Sequence, residues 1–310
     1  MRTWHPGQDE PEESSRSVGI VDHTLDDASL ESRLPLDDGR YALRSTCSAG
    51  SFDLLPPELM TEVLLALDLP SLAAFRQANS RAMGLVDSLH QYATVRRHCP
   101  NVLRAILSIR ADSYDCKTLH STLRTSQCAS CERTAPYLYL ISCKRVCYFC
   151  FTSDPAYLPA TAAEATRLRK IKKGRLLLLP SVLSLPGRYT GFPRPSRRRL
   201  RLFDRVAMLK VVRESSGMAV EDMKPPCVDR TTRELRRYMA IVAAPYLDGL
   251  GRSADWGFYC MGCADDTGIE RHFRNHFTKD GLAEHMARFG KVTLNGRKTL
   301  VIHAMDPDTN

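Results

Sequence analysis

The first sustained helical period follows Phe52-Asp53-Leu54-Leu55-Pro56-Pro57-Glu58-Leu59, where Leu59, Val63, Leu64 and Leu67 recur every three or four residues as one apolar stripe. Proline is tolerated in the first turn of a helix, so Pro57 opens this one, and it stops near Asp68-Leu69-Pro70. A second helix is predicted from Pro70-Ser71 with Leu72, Phe75 and Arg76, and a third from the cap Asn79-Ser80 with Met83, Val86 and Leu89 inward. Three short helices with such brief links bury only a small common core. Their remaining apolar surface wants a partner, in this chain or another. Residues 91–127 are helical in part, with Pro100 at a first turn and Val102, Leu103, Ile106 and Leu107 on one face.

The second half alternates shorter signals. Tyr137 to Ile141 is strand-type. Ala162 to Lys173 reads as a basic helix, followed by extended pieces at Arg175 to Pro180 and Leu183 to Tyr189. Thr231-Thr232-Arg233-Glu234 fits a capping box that opens a helix with Leu235, Met239 and Val242 inward. Thr278 or Asp280 caps a helix carrying Leu282, His285, Met286 and Phe289. Asn295-Gly296 favours a two-residue turn between Val292–Leu294 and Thr299–Ile302.

With 310 residues, 43% of them hydrophobic and 25% charged, the composition is that of a globular protein of about two domains. The longest apolar run, Leu176 to Leu185, is broken by Pro180 and two serines, too short for a bilayer span, so no membrane partner is expected. Residues 1–50 are acidic and lack sustained periodicity, which predicts a disordered tail and no signal peptide; the expected location is cytoplasmic or nuclear. The net charge of +9 is local: residues 151–200 hold eleven Lys/Arg against two Asp/Glu. Such a block is more often a solvated face than a phosphate-binding one, and no nucleic-acid partner is expected.

Leu55-Pro56-Pro57-Glu58-Leu59, Val63-Leu64-Leu65-Ala66-Leu67, Asp68-Leu69-Pro70-Ser71-Leu72 and Phe75-Arg76-Gln77-Ala78-Asn79-Ser80-Arg81 resemble an F-box. The third helix has Ala82-Met83-Gly84 where many members of that family carry tryptophan. The resemblance implies docking onto the Skp adaptor of an SCF-type ubiquitin ligase. Carried over by position, Leu54, Leu55, Pro56, Leu59, Val63, Leu67, Leu72 and Phe75 would form the docking face or its immediate support. Together with the cysteine-rich half, Leu185 to Tyr189 and the Trp256-to-Cys263 knuckle, the chain looks like a group of filamentous-fungal F-box proteins. That likeness implies a non-catalytic substrate receptor.

In a reducing compartment cysteines are better read as metal ligands and buried thiols than as disulfides. Cys128-Ala129-Ser130-Cys131 and Cys147-Tyr148-Phe149-Cys150 have the spacing of a structural zinc site, two knuckles each presenting two thiolates. A strand hairpin between them would bring the knuckles together. Four thiolates leave no open position for catalysis. Cys143 is a fifth thiol in this stretch. Downstream, Cys260 and Cys263 offer a second pair, to be completed by His276 and His285, by His272 and His276, or by one histidine with Cys143. A cross-braced RING fits poorly, because the first cluster lacks an interposed histidine.

The expected fold is α+β: a disordered acidic tail (1–50), a three-helix F-box domain (51–95), a helical connector (96–127) and a zinc-stapled mixed α/β domain (128–310) with its basic segment at 162–213. The expected function is that of an adaptor, with the zinc-stabilised half recruiting a protein substrate. The runner-up is a zinc-containing nucleic-acid-binding protein that uses Arg197-Arg198-Arg199.

Overall fold

Asp68 and Asn79 sit where the chain must stop one helix and start the next. The Asp68 carboxylate accepts the backbone N–H of Ser71 at 2.8 Å, and the Asn79 side-chain oxygen accepts that of Ala82 at 2.8 Å. Each satisfies a donor that the first helical turn leaves open. These caps separate α2 (Pro57–Leu65), α3 (Leu69–Arg76) and α4 (Ser80–Asp87), which follow α1 (Asp27–Arg33) in the computed structural model. The model describes residues 2–3, 24–25, 27–36, 48–167, 173–189, 195–216, 234–260, 263, 274–289, 292–294 and 301–303.

Three further helices continue the layer: α5 (His90–His98), α6 (Pro100–Ile109) and α7 (Cys116–Leu123). The Arg76 guanidinium grips both oxygens of Asp87, at 2.8 and 2.9 Å, and Arg96 reaches the same carboxylate at 3.2 Å. This bidentate pair with a second cation ties α3, α4 and α5 together. The face of α6 read from the sequence is correct for Val102, Leu103 and Ile106, all buried, while Leu107 is half-buried.

Strand β1 (Arg2–Thr3) precedes the helical layer, and β2 (Tyr137–Tyr139) and β3 (Lys144–Val146) form the hairpin expected between the cysteine knuckles. The chain then runs through α8 (Tyr148–Ser153), β4 (Ala160–Thr161), α9 (Ala162–Arg167), α10 (Lys173–Leu176), β5 (Ser181–Leu183), β6 (Arg201–Phe203), α11 (Arg205–Ser216) and α12 (Leu235–Tyr238). Short strands follow: β7 (Ile241–Ala243), β8 (Tyr246–Leu247), β9 (Ala254–Asp255), β10 (Phe258–Tyr259) and β11 (His276–Phe277). Helix α13 (Lys279–Phe289) and strands β12 (Val292–Leu294) and β13 (Val301–His303) complete the described elements. Strand β2 is central in the order β3-β2-β7, and its three side chains are fully buried. One contiguous core runs from Leu25 to Leu247, so the helical layer and the β2 sheet share an interior. Two small satellite cores lie around Phe203 and around Phe258. Among the described residues no helix is long and apolar enough to cross a membrane.

Several expectations need correction. The tail is not wholly disordered: α1 packs on α6, Leu30 is fully buried, and Arg104 donates to the Leu34 carbonyl at 3.2 Å. Leu25 and Leu30 find their partners far along the chain, Leu25 N–H donating to the Ile241 carbonyl at 3.3 Å and α1 packing on α6. Arg175 and Leu176 end a helical turn and are not extended. Thr231, Thr232 and Arg233 of the capping box lie outside the described residues, and the helix that follows stops before Val242. Glu234 makes no side-chain cap, α12 is four residues long, and Val242 pairs with Leu138 in the sheet. The terminal strands pair antiparallel as expected, Leu294 opposite Val301; Asn295-Gly296 lies outside the described residues.

Candidate metal centres and an exposed leucine face

The β2–β3 hairpin folds the first knuckle back onto the second. Ala129 N–H donates to the Arg145 carbonyl at 2.8 Å, and Cys147 N–H points at Cys128 Sγ, 3.4 Å away. Cys147 then caps α8, its sulfur accepting the Cys150 N–H at 3.4 Å. The result brings the sulfurs of Cys128, Cys131, Cys147 and Cys150 within 4.8 Å of one another. Two of the edges, Cys131–Cys147 and Cys131–Cys150, measure 3.6 and 3.5 Å. A zinc ion at about 2.3 Å from four tetrahedral thiolates sets sulfurs about 3.8 Å apart, so the cluster fits such an ion closely.

The electrostatics point the same way. The Cys147 thiol, hydrogen-bonded to Cys128, holds the Cys128 thiol down at about 4, opposed by burial and helped by the N–H groups of Ser130, Cys147 and Cys131. Its partner Cys147 is pushed up by that same contact and by burial, and burial pushes Cys150 up to about 12. Within the cluster the contact between Cys128 and Cys147 favours the charged form of Cys128 and disfavours that of Cys147. A divalent cation would replace the thiol protons and receive four thiolates.

A second cluster lies at the other end of this half. Cys260 follows β10, and Cys260, Cys263 and His285 place one ligand atom each within 4.8 Å of the others. Cys263 Sγ is 3.3 Å from His285 Nε2. Helix α13 presents His285 because Thr278 caps it, accepting the Gly281 N–H at 3.2 Å, and because Leu282 turns inward beside it. The Phe277 and Phe289 rings lie against the imidazole with centroids at 4.6 and 4.8 Å. Gly257, at φ +58, lets the preceding turn approach: a Cβ there would lie 2.7 Å from the Phe277 carbonyl and strike the His276 ring.

Of the ligands considered for this pair, the structure selects His285 and sets two others aside. His276 Nε2 is 2.9 Å from the Trp256 carbonyl, and burial first of all pushes its imidazole down to about 4. Cys143 lies at the β2–β3 turn with φ 50, its sulfur 3.6 Å from Thr122 Oγ1 and its thiol pushed up to about 12 by burial. His272 lies outside the described residues. Cys99 and Cys116 are buried thiols, each pushed up to about 12 by burial.

The residues matched to the docking motif fall on two sides. Leu54 is 85% exposed, Leu59 55%, Val63 42% and Leu55 37%, with Pro56 exposed between them. Met60, Leu64 and Leu65 anchor the same helix to the core, so the stripe predicted from Leu59, Val63 and Leu64 is really two faces. Leu72 is fully buried and only supports this surface, while Leu67 and Phe75 are half-buried. The Phe52 ring rests on Phe75, centroids 5.3 Å apart.

The basic stretch is partly committed inside the fold. Arg199 donates to the carbonyls of Ser184 at 3.2 Å and Ser108 at 2.6 Å, and Arg201 to Ser181 Oγ at 3.2 Å. Arg145, which no sequence pattern singled out, is a buried hub beside the first cluster, donating to five backbone carbonyls. No family model, curated protein or solved structure is found to match the chain.

Proposed function

We propose that the protein is a non-catalytic adaptor: its N-terminal helices dock on the Skp subunit of an SCF-type ubiquitin ligase, and its C-terminal half, stapled by zinc at Cys128, Cys131, Cys147 and Cys150, recruits a protein substrate. The observation that carries the reading is a set of exposed aliphatic side chains, Leu54 and Leu55 just before α2 and Leu59 and Val63 on it, while Met60, Leu64 and Leu65 of the same helix are buried in the core. Contiguous exposed apolar surface of this kind is characteristic of a partner site. The F-box-like order of motifs says which partner it suits. The adaptor would act by proximity, raising the concentration of its target near the conjugating machinery. The nucleic-acid alternative is less well supported, since Arg199 and Arg201 bond to this chain's own backbone and side chains.

A pull-down with purified Skp adaptor tests the proposal. The wild type should bind, and Leu55→Asp with Leu59→Asp should lose binding at least about tenfold, with zinc content and melting temperature unchanged. A wild type that does not bind, or a double variant that binds equally well, overturns the reading.

A further inference from the structure

The two clusters differ in what surrounds them. The four-thiolate cluster borders the main core: Cys128 and Cys147 belong to it, next to fully buried Tyr137, Val146 and Phe151. Among the described residues, the Cys260–Cys263–His285 cluster sits in a small satellite core. Its satellite core consists of Phe258, Cys260, Cys263 and Leu282, with Phe277 and Met286 packed alongside, so half of the fully buried members are ligands. Cys263 and His285 are 22 residues apart. Among the described residues, Phe258, Tyr259 and Leu282 are the buried apolar side chains that β10 and α13 contribute, a small interior for two elements so far apart in sequence. Beside the β10–β11 ladder and the Phe277 and Phe289 rings, the three converging donors offer a further tie between β10 and α13. Two thiolates and an imidazole are the donor set of a borderline divalent ion such as zinc or cobalt, softer than carboxylate sites and distinct from a purely thiolate one.

We infer that Cys260, Cys263 and His285 form a second metal centre that exchanges separately from the first, and that its occupation holds α13 against β10 while the main core stands without it. This inference does not depend on the adaptor reading. Binding releases the thiol protons to solvent and places the metal on two thiolates and a neutral imidazole. The local structure then becomes a function of metal supply.

The test uses the full-length protein loaded with zinc. Mass spectrometric metal counting should find two zinc ions per chain in the wild type and one in His285→Ala. During graded chelation of the wild type, the first zinc to leave should be accompanied by a rise on the order of a hundredfold in amide exchange across α13, with β2 and α6 still protected. Cobalt substitution supplies a second readout that needs no variant. The two ions should bind in two phases, the weaker one with the smaller thiolate-to-metal charge-transfer band per cobalt. One zinc per chain in the wild type, loss of both ions in a single step, or α13 protection unchanged after the second centre empties would overturn the inference.

Discussion

At the scale of single residues, Arg145 does more for the fold than any other polar group near the candidate centres. Its guanidinium donates to the carbonyls of Thr122 at 3.3 Å, Leu123 at 3.1 Å, Ala135 at 3.2 Å, Ala244 at 2.7 Å and Pro245. Those carbonyls end α7, lead into β2 and follow β7, so one side chain joins the helical layer to the sheet that carries the knuckles. Burial pushes its pKa down to about 10, which still leaves it charged at neutral pH. A guanidinium presents five donors in a fixed fork, whereas an ammonium is a point charge with three. Arg145→Lys therefore cannot reproduce the pattern, and Arg145→Met abandons all five acceptors. The methionine variant should lose at least about 3 kcal/mol in urea unfolding, several orphaned buried carbonyls at roughly 1 kcal/mol or more each. A loss below about 1 kcal/mol would show that those carbonyls find other donors.

Among the elements, α2 separates stability from recognition by face. Leu64 is 1% exposed and Leu59 55% on the same two turns. Leu64→Ala should cost about 3 kcal/mol through lost burial and a residual cavity. Leu59→Ala should change stability by no more than about 0.5 kcal/mol, and equal losses in the two variants would contradict an outer face free for a partner. The same element shows what local sequence encodes. Pro57, Asp68 and Asn79 act within three residues of themselves, so helix starts were legible, as were the two knuckles and the hairpin that joins them. Whatever depended on distant partners was not. The stripe of α2 split because periodicity cannot say which side meets α3 and the core. Val242 belongs to a strand because Leu138, far upstream, offers it a place in the ladder. Arg145 carries no local mark, since its acceptors are backbone atoms scattered over more than a hundred residues. His285 and His276 could not be distinguished as ligands by spacing, because the choice rests on where β11 and α13 pack.

For the molecule as a whole, the segments after Leu158 share the main core through Val182, Leu185, Leu202 and β7, add a small core of Ala160, Leu179, Phe203 and Met208, and are also attached to the rest by charged side chains. Arg205 donates to the Leu158 carbonyl at 2.8 Å, Arg236 to that of Pro159 at 3.1 Å, and Arg237 to those of Phe151 at 2.9 Å and Asp154 at 2.6 Å. Glu164 is the anion at the junction, 2.7 Å from Arg236 and 3.8 Å from Arg205, and it also accepts the Thr161 N–H at 2.8 Å. Burial alone would raise its pKa, but the Thr161 N–H and the two arginines outweigh burial and hold it below its usual 4.5. A carboxyl depressed in the fold contributes its stabilisation in full above its unfolded pKa and loses it as the pH falls through the folded value. Glu164→Gln keeps the acceptor for Thr161 but removes the charge facing the arginines. The variant should be about 2 kcal/mol less stable than wild type at pH 7. The gap should begin to narrow as the pH falls past the ordinary 4.5 and close only below the lower folded value, where the wild-type side chain is neutral as well. Acid acts on the cysteine clusters of both proteins alike, so the difference between their urea midpoints at each pH isolates the carboxylate. A gap that persists undiminished under acid would mean that Glu164 acts through packing, and that the arginines it faces are held by their backbone carbonyls alone.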